Sequence, residues 1–103
     1  MSGAKKARGM RVISVKKLKE FYGKHAAAKA PLTAWNKVMK ESQFGGFNEL
    51  RNAFRSVDYV NGLYVFDTGP FRLIAAIHFN RQIVYIRHVL THDEYDRGTW
   101  KGT

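Results

Sequence analysis

The chain contains no cysteine, which excludes disulfide staples and thiolate metal sites and fits a reducing, cytoplasmic address. Proline occurs twice, at Pro31 and Pro70, so most of the chain is free of its helix- and strand-breaking effect. No apolar run approaches the roughly 18 residues of a membrane span, and no apolar segment follows the N-terminus as a secretory signal requires. A membrane role is therefore not expected. Acids are scarce: 8 Asp and Glu stand against 18 Lys and Arg, for a formal net charge of +10. Internal repeats are absent too.

What remains is a chain of 103 residues, 45% hydrophobic and 14% aromatic, which reads as one small globular domain. Residues 1–9 (MSGAKKARG) offer nothing to pack and are expected to be a disordered basic tail, with the domain over 10–103 and Met10 as a candidate native start. With Lys5, Lys6 and Arg8 set aside, the formal net charge on Met10–Thr103 is still +7, three less than the +10 of the whole chain. A polyanionic partner follows: nucleic acid first, an acidic protein second, an anionic membrane third.

Met10–Ile13 suits a short edge strand. Ser14 offers an N-cap, and Val15, Leu18, Phe21, Tyr22 and His25 form one stripe of an amphipathic helix. Lys16, Lys17, Lys19 and Lys24 lie mostly off that stripe, as a solvated face or as a track for an RNA backbone. Pro31 closes this helix and suits the first turn of a second, whose stripe is Leu32, Trp35, Val38 and Met39. Two facing stripes predict an antiparallel helical hairpin docked on a sheet. Phe47–Arg55 adds a further helical turn after Gly45-Gly46. Asn61-Gly62 marks a tight turn into a strand over Leu63–Asp67, and Thr68-Gly69-Pro70 turns the chain into Phe71–Phe79. There Phe71, Leu73, Ala75, Ile77 and Phe79 share one face, and Arg72, Ile74, Ala76 and His78 the other. Asn80–Gln82 closes a hairpin into Ile83–Leu90. The order β-α-α-β-β-β-α gives an α+β fold with helices on one face of a meander.

Ile83–Trp100 carries the chemistry. Thr91-His-Asp-Glu94 reads as a capping box opening a short helix at His92, with Leu90 and Tyr95 as its hydrophobic staple. His92, Tyr95 and Asp96 then share a helix face. Cutting RNA without a metal requires a base for the ribose 2′-hydroxyl, cations for the pentacoordinate phosphate and an acid for the leaving 5′-oxygen. His and Tyr can move the protons, and the planar arginine fork fits phosphate. Tyr85, Tyr95 and Trp100 could stack splayed bases. His88 is a further proton-carrying group on the preceding strand, and Arg97 and Lys101 are cations close by. Arg72 could equally pair with Asp67, and Arg87, on a face with Ile83, Tyr85 and Val89, could be structural. His88, His92 and Asp96 would mimic a metal site only if all three were helical. The β-branched run before Leu90 argues strand, so no metal or cofactor is expected.

The run Tyr85-Ile-Arg-His-Val-Leu-Thr-His-Asp-Glu-Tyr-Asp96, preceded by Val65-Phe66 and Phe71-Arg72-Leu73-Ile74, resembles the HigB toxins, RelE-like mRNA-cleaving members of type II toxin–antitoxin pairs. The resemblance runs from about Met10 onward. It implies a RelE-like fold, with an N-terminal helical hairpin packed on an antiparallel sheet and a short C-terminal helix. It implies a metal-independent endoribonuclease acting on mRNA, on the ribosome or free of it, restrained by a HigA-like helix-turn-helix antitoxin in a hetero-oligomer. Matched onto this chain, the catalytic groups are Arg72, Arg87, His92, Tyr95 and Asp96, with His88, Tyr85, Arg97, Trp100 and Lys101 as RNA contacts. The alternatives are a non-catalytic RNA-binding module on the same face and a protein-interaction domain.

Overall fold

A computed structural model of the chain describes residues 9–102. The tail expected over 1–9 thus lies outside the described residues except for Gly9, which is held in place. Its N–H donates to the Lys40 carbonyl at 3.2 Å, and a Cβ there would run into that carbonyl. The elements are β1 (Arg11–Ile13), α1 (Lys16–Lys24), a 3-10 turn (Ala26–Ala28), α2 (Lys29–Glu41), α3 (Phe47–Ala53), β2 (Asp58–Val60), β3 (Leu63–Thr68), β4 (Phe71–His78), β5 (Ile83–Thr91), α4 (His92–Arg97) and a final 3-10 turn (Thr99–Gly102). The class is α+β, as the element pattern predicts. None of the described helices is long and apolar enough to cross a membrane.

The strands form one sheet in the order β1-β5-β4-β3-β2. β2 to β5 pair antiparallel, whereas β1 lies parallel to β5. The sheet is therefore mixed, where an antiparallel one was expected. β1 reaches β5 by way of the helices and the rest of the chain, and such long crossovers permit parallel pairing that a hairpin forbids. β2 is an addition to the expected order: Asp58-Tyr-Val60 is too short and too exposed to carry an alternating signal. Its hairpin with β3 turns on Asn61 and Gly62, both at positive φ (57° and 82°), the type I′ geometry that this dipeptide favours.

Two further details depart from the sequence reading. Ser14 does not cap α1 with its side chain. It takes a left-handed φ of 74° to swing the chain off β1, and its carbonyl accepts from Lys17 N–H at 2.9 Å, so the helix starts at Lys16. Pro31 sits third in α2, which begins at Lys29. The missing N–H costs nothing there, because the first turn's donors have no intrahelical acceptor.

Leu18, Leu32, Trp35 and Met39 bury the helix stripes against Phe66, Phe71, Leu73, Ala75, Val84 and Ile86 on one face of the sheet. The Trp35 and Phe66 rings meet edge to face at 5.4 Å. On the opposite face Leu63, Val65, Ile74 and Trp100 form a smaller cluster, flanked by Leu90 and Tyr95. Gln82 joins the parts at the sheet's end. Its amide donates to the carbonyls of Phe44 and Phe79 (2.6 and 2.7 Å) and accepts from the Phe44 N–H (3.1 Å), while its own carbonyl takes the Arg11 N–H.

Candidate active site

The alternation along β5 is interrupted once. Ile74 pairs with His88 and Ala75 with Ile86, so Arg87 is an extra residue in a β-bulge. Two residues on β5 oppose one on β4, and every side chain beyond the bulge changes face relative to strict alternation. This corrects the expected grouping of Arg87 with Ile83, Tyr85 and Val89. Val89 pairs with Leu73 and packs into the helix-side core, whereas His88 and Leu90 fall on the face of Arg72. Arg87 is exposed, and its carbonyl accepts from Lys17 Nζ at 3.0 Å. The bulge thus sits against α1, and Arg87 lines a groove with Lys17, Phe21 and Lys24.

α4 follows β5 directly because the capping box forms. Thr91 Oγ1 accepts from the Glu94 N–H (3.2 Å) and Glu94 Oε1 from the Thr91 N–H (2.9 Å). Asp93 and Glu94 in the first turn and Arg97 in the last suit the helix dipole. Gly98, at φ 74°, ends the helix with its N–H on the Tyr95 carbonyl. On this short frame His92 Nδ1 lies 3.1 Å from Asp96 Oδ2, with both side chains more than half exposed (56% and 60%). The carboxylate orients the imidazole and leaves Nε2 as the ring nitrogen available for proton transfer.

Arg72 approaches from β4. Its Nη1 reaches Asp67 Oδ1 (3.3 Å), the Gly69 carbonyl (3.0 Å) and the Phe71 carbonyl (3.1 Å), while its guanidinium carbon lies 5.8 Å from the centre of the Tyr95 ring. Both readings of Arg72 meet here: it pairs with Asp67, and it sits beside the α4 cluster. Tyr95 in turn stacks on Trp100 (5.3 Å between centroids, 15° between planes). Arg72 is thereby brought beside Tyr95, which shares the six-residue α4 with the His92–Asp96 pair.

Trp100 does not fit the base-stacking part expected of it. It is 3% exposed, packs on Leu63, Val65 and Ile74, and donates from Nε1 to the Tyr95 carbonyl at 3.1 Å. A buried indole presents no face to a base, so Trp100 is the wedge that fixes α4 on the sheet. Lys101 is exposed and reaches over the Trp100 ring (5.8 Å). Arg97 is exposed at the end of α4. Tyr85 is half-buried further along β5, edge-on to His78 at 5.4 Å. The pKa of His88 is lowered by its burial and then by the charges of Lys17 and Arg87, so its neutral form is favoured. Sequence reasoning overlooked Lys17 as a group fixed against β5. Its anchor is the bulge, and nothing in the local pattern announces that.

A family model described as HigB_toxin, the RelE-like toxic component of a toxin–antitoxin system, matches residues 28–98. That span holds Arg72 and all of α4. Among curated proteins, the mRNA interferase toxin HigB of Escherichia coli (strain K12) is 35% identical over 92 residues, covering 84% of this chain and 88% of that one. The mRNA interferase HigB of Shigella flexneri matches to the same extent. That of Escherichia coli O6:H1 is 34% identical over 95 residues, covering 87% and 92%.

Proposed function

The chain belongs to the HigB family of RelE-like toxins, and on that premise we propose that it is an mRNA interferase, an endoribonuclease that cuts messenger RNA in the cytoplasm, on the ribosome or free of it. We read α1 and α2 as the helical hairpin of the RelE-like fold and residues 10–103 as the toxin domain. The observation that carries the catalytic assignment is the His92–Asp96 pair at 3.1 Å, exposed on the helix face that Tyr95 and Arg72 adjoin.

In the proposed reaction the ribose 2′-oxygen attacks the neighbouring phosphorus. The 2′-O–P bond forms as the P–O5′ bond breaks, giving a 2′,3′-cyclic phosphate and a 5′-hydroxyl. The 2′ proton passes to a base, and an acid returns a proton to the 5′-oxygen. His92 Nε2 is suited to one of these transfers and the Tyr95 hydroxyl to the other, with Asp96 holding the imidazole in orientation. Arg72 stabilises the charge that builds on the phosphate oxygens. Its Nη1 is taken by Asp67 and two carbonyls, which leaves the other edge of the fork for phosphate. Lys101, Arg97 and Tyr85 border the face as contacts for the RNA strand. Trp100 is left out of the RNA-contacting set.

Family membership implies an antitoxin, and we infer a HigA-like helix-turn-helix protein that forms a hetero-oligomer with this chain. Induced expression is expected to arrest growth and to produce messenger fragments with 5′-hydroxyl ends. His92→Ala should relieve the arrest while the far-ultraviolet circular dichroism stays native. Arrest undiminished by that substitution removes His92 from the mechanism.

A further inference from the structure

β1 pairs with β5 only from Ile83 to Tyr85. Beyond Tyr85 the outer edge of β5 has no strand beside it among the described residues and faces α1 instead. Between α1 and this half of β5 lies a groove of about 320 Å3. Its cations are Lys17 and Lys24 from α1 and Arg87 from the bulge, its apolar surface on the α1 side is Phe21 and Val89, and Leu90 borders it at the edge of the sheet. Glu20 also lines it, but is paired with Lys16 at 3.8 Å. Lys17 and Lys24 are two helical turns apart, about 10 Å along the axis. The cationic surface therefore runs along the groove and is more than a single point of contact. Leu90 stands two positions before His92, so the groove leads to the start of α4.

A strand-shaped peptide is a poor occupant. Added strands need a regular row of free N–H and C=O groups, and here the bulge breaks the row while Lys17 Nζ takes the Arg87 carbonyl. Repeated phosphates need only spaced cations, with apolar surface for the bases. We propose that the α1–β5 groove holds single-stranded RNA on its way to the α4 cluster, with phosphates on Lys17, Lys24 and Arg87 and bases against Phe21 and the half-buried Val89 on the α1 side of the strand. The inference rests on the nuclease reading for what lies at the groove's end.

The test uses a fluorescein-labelled, single-stranded 2′-O-methyl RNA, which lacks the attacking hydroxyl and so reports binding alone, followed by anisotropy across a salt series. Arg87→Ala and Lys24→Ala are each expected to raise Kd about fivefold at low salt and to lower the slope of log affinity against log salt by roughly 0.7. Lys37→Ala, on α2 and paired with Glu41, should bind like the parent. The groove is overturned if the parent does not bind the probe or the groove variants bind as the parent does. It is equally overturned if Lys37→Ala loses as much, since net charge alone then explains binding, or if the groove variants keep RNA and lose the antitoxin. A parent that binds through these residues yet causes no arrest on induction would sink the nuclease reading and leave the groove standing.

Discussion

Arg72 serves the fold through Nη1, and the proposed chemistry would use the other atoms of the same side chain. Nη1 fastens the turn between β3 and β4 to Asp67 and two carbonyls, with the arginine side chain only 17% exposed. Arg72→Ala is therefore expected to lose cleavage and also about 1–2 kcal/mol of stability, from one charged group leaving partly buried acceptors. Arg72→Lys keeps the charge without the planar fork, so it should recover much of the stability and little of the activity. Urea titration and an RNA-cleavage assay on the same preparations separate the two; full activity in the lysine variant would deny a phosphate role for the fork. His88 carries a pH prediction. Its folded-state pKa lies below the ordinary 6.5, first through burial and then through Lys17 and Arg87, so the unfolded chain binds its proton more readily. Stability should be unaffected above that value and fall as pH drops from about 6.5 through the lowered pKa. His88→Gln should flatten this part of the profile, and an unchanged acid limb would place the effect on other groups.

α4 has six residues and owes its place to its ends. Thr91→Ala removes the capping acceptor and should cost about 1 kcal/mol. Because α4 holds His92 against Asp96, cleavage should drop further than global stability. A variant that melts earlier yet cuts normally would separate the cap from the site. This element was legible in the sequence because its signals lie within a few neighbouring residues: Thr91 to Glu94 for the cap and His92 to Asp96 for the pair. The Asn61-Gly62 turn and the stripe of α2 were legible for the same reason. The bulge at Arg87 was not, because an extra residue is visible only against a partner strand. The burial of Trp100 was hidden likewise, since Leu63, Val65 and Ile74 lie well upstream. The parallel pairing of β1 with β5 needs the whole crossover before it exists.

The whole molecule is a strongly cationic body, with a formal charge of +10, and its antitoxin should meet that field before any contact forms. Association is expected to be steered by acidic groups on the antitoxin and to slow about tenfold or more between low and high salt. Stopped-flow mixing of the separated proteins measures this, and a rate indifferent to salt would argue for an apolar docking surface instead. The sheet order adds a constraint in time. Lys17 and Arg87 meet across 70 positions of sequence, and β1 completes its pairing only with β5. A ribosome releases β1, α1 and α2 before β3, β4 and β5, against which the helix stripes pack, and β5 comes last of the three, so part of that apolar surface waits uncovered during synthesis, as it does in slow, non-local folds. The strand they wait for also leads straight into the helix that bears His92. A chain halted before Ile83 therefore lacks both the strand that joins β1 to β4 and the helix that bears His92.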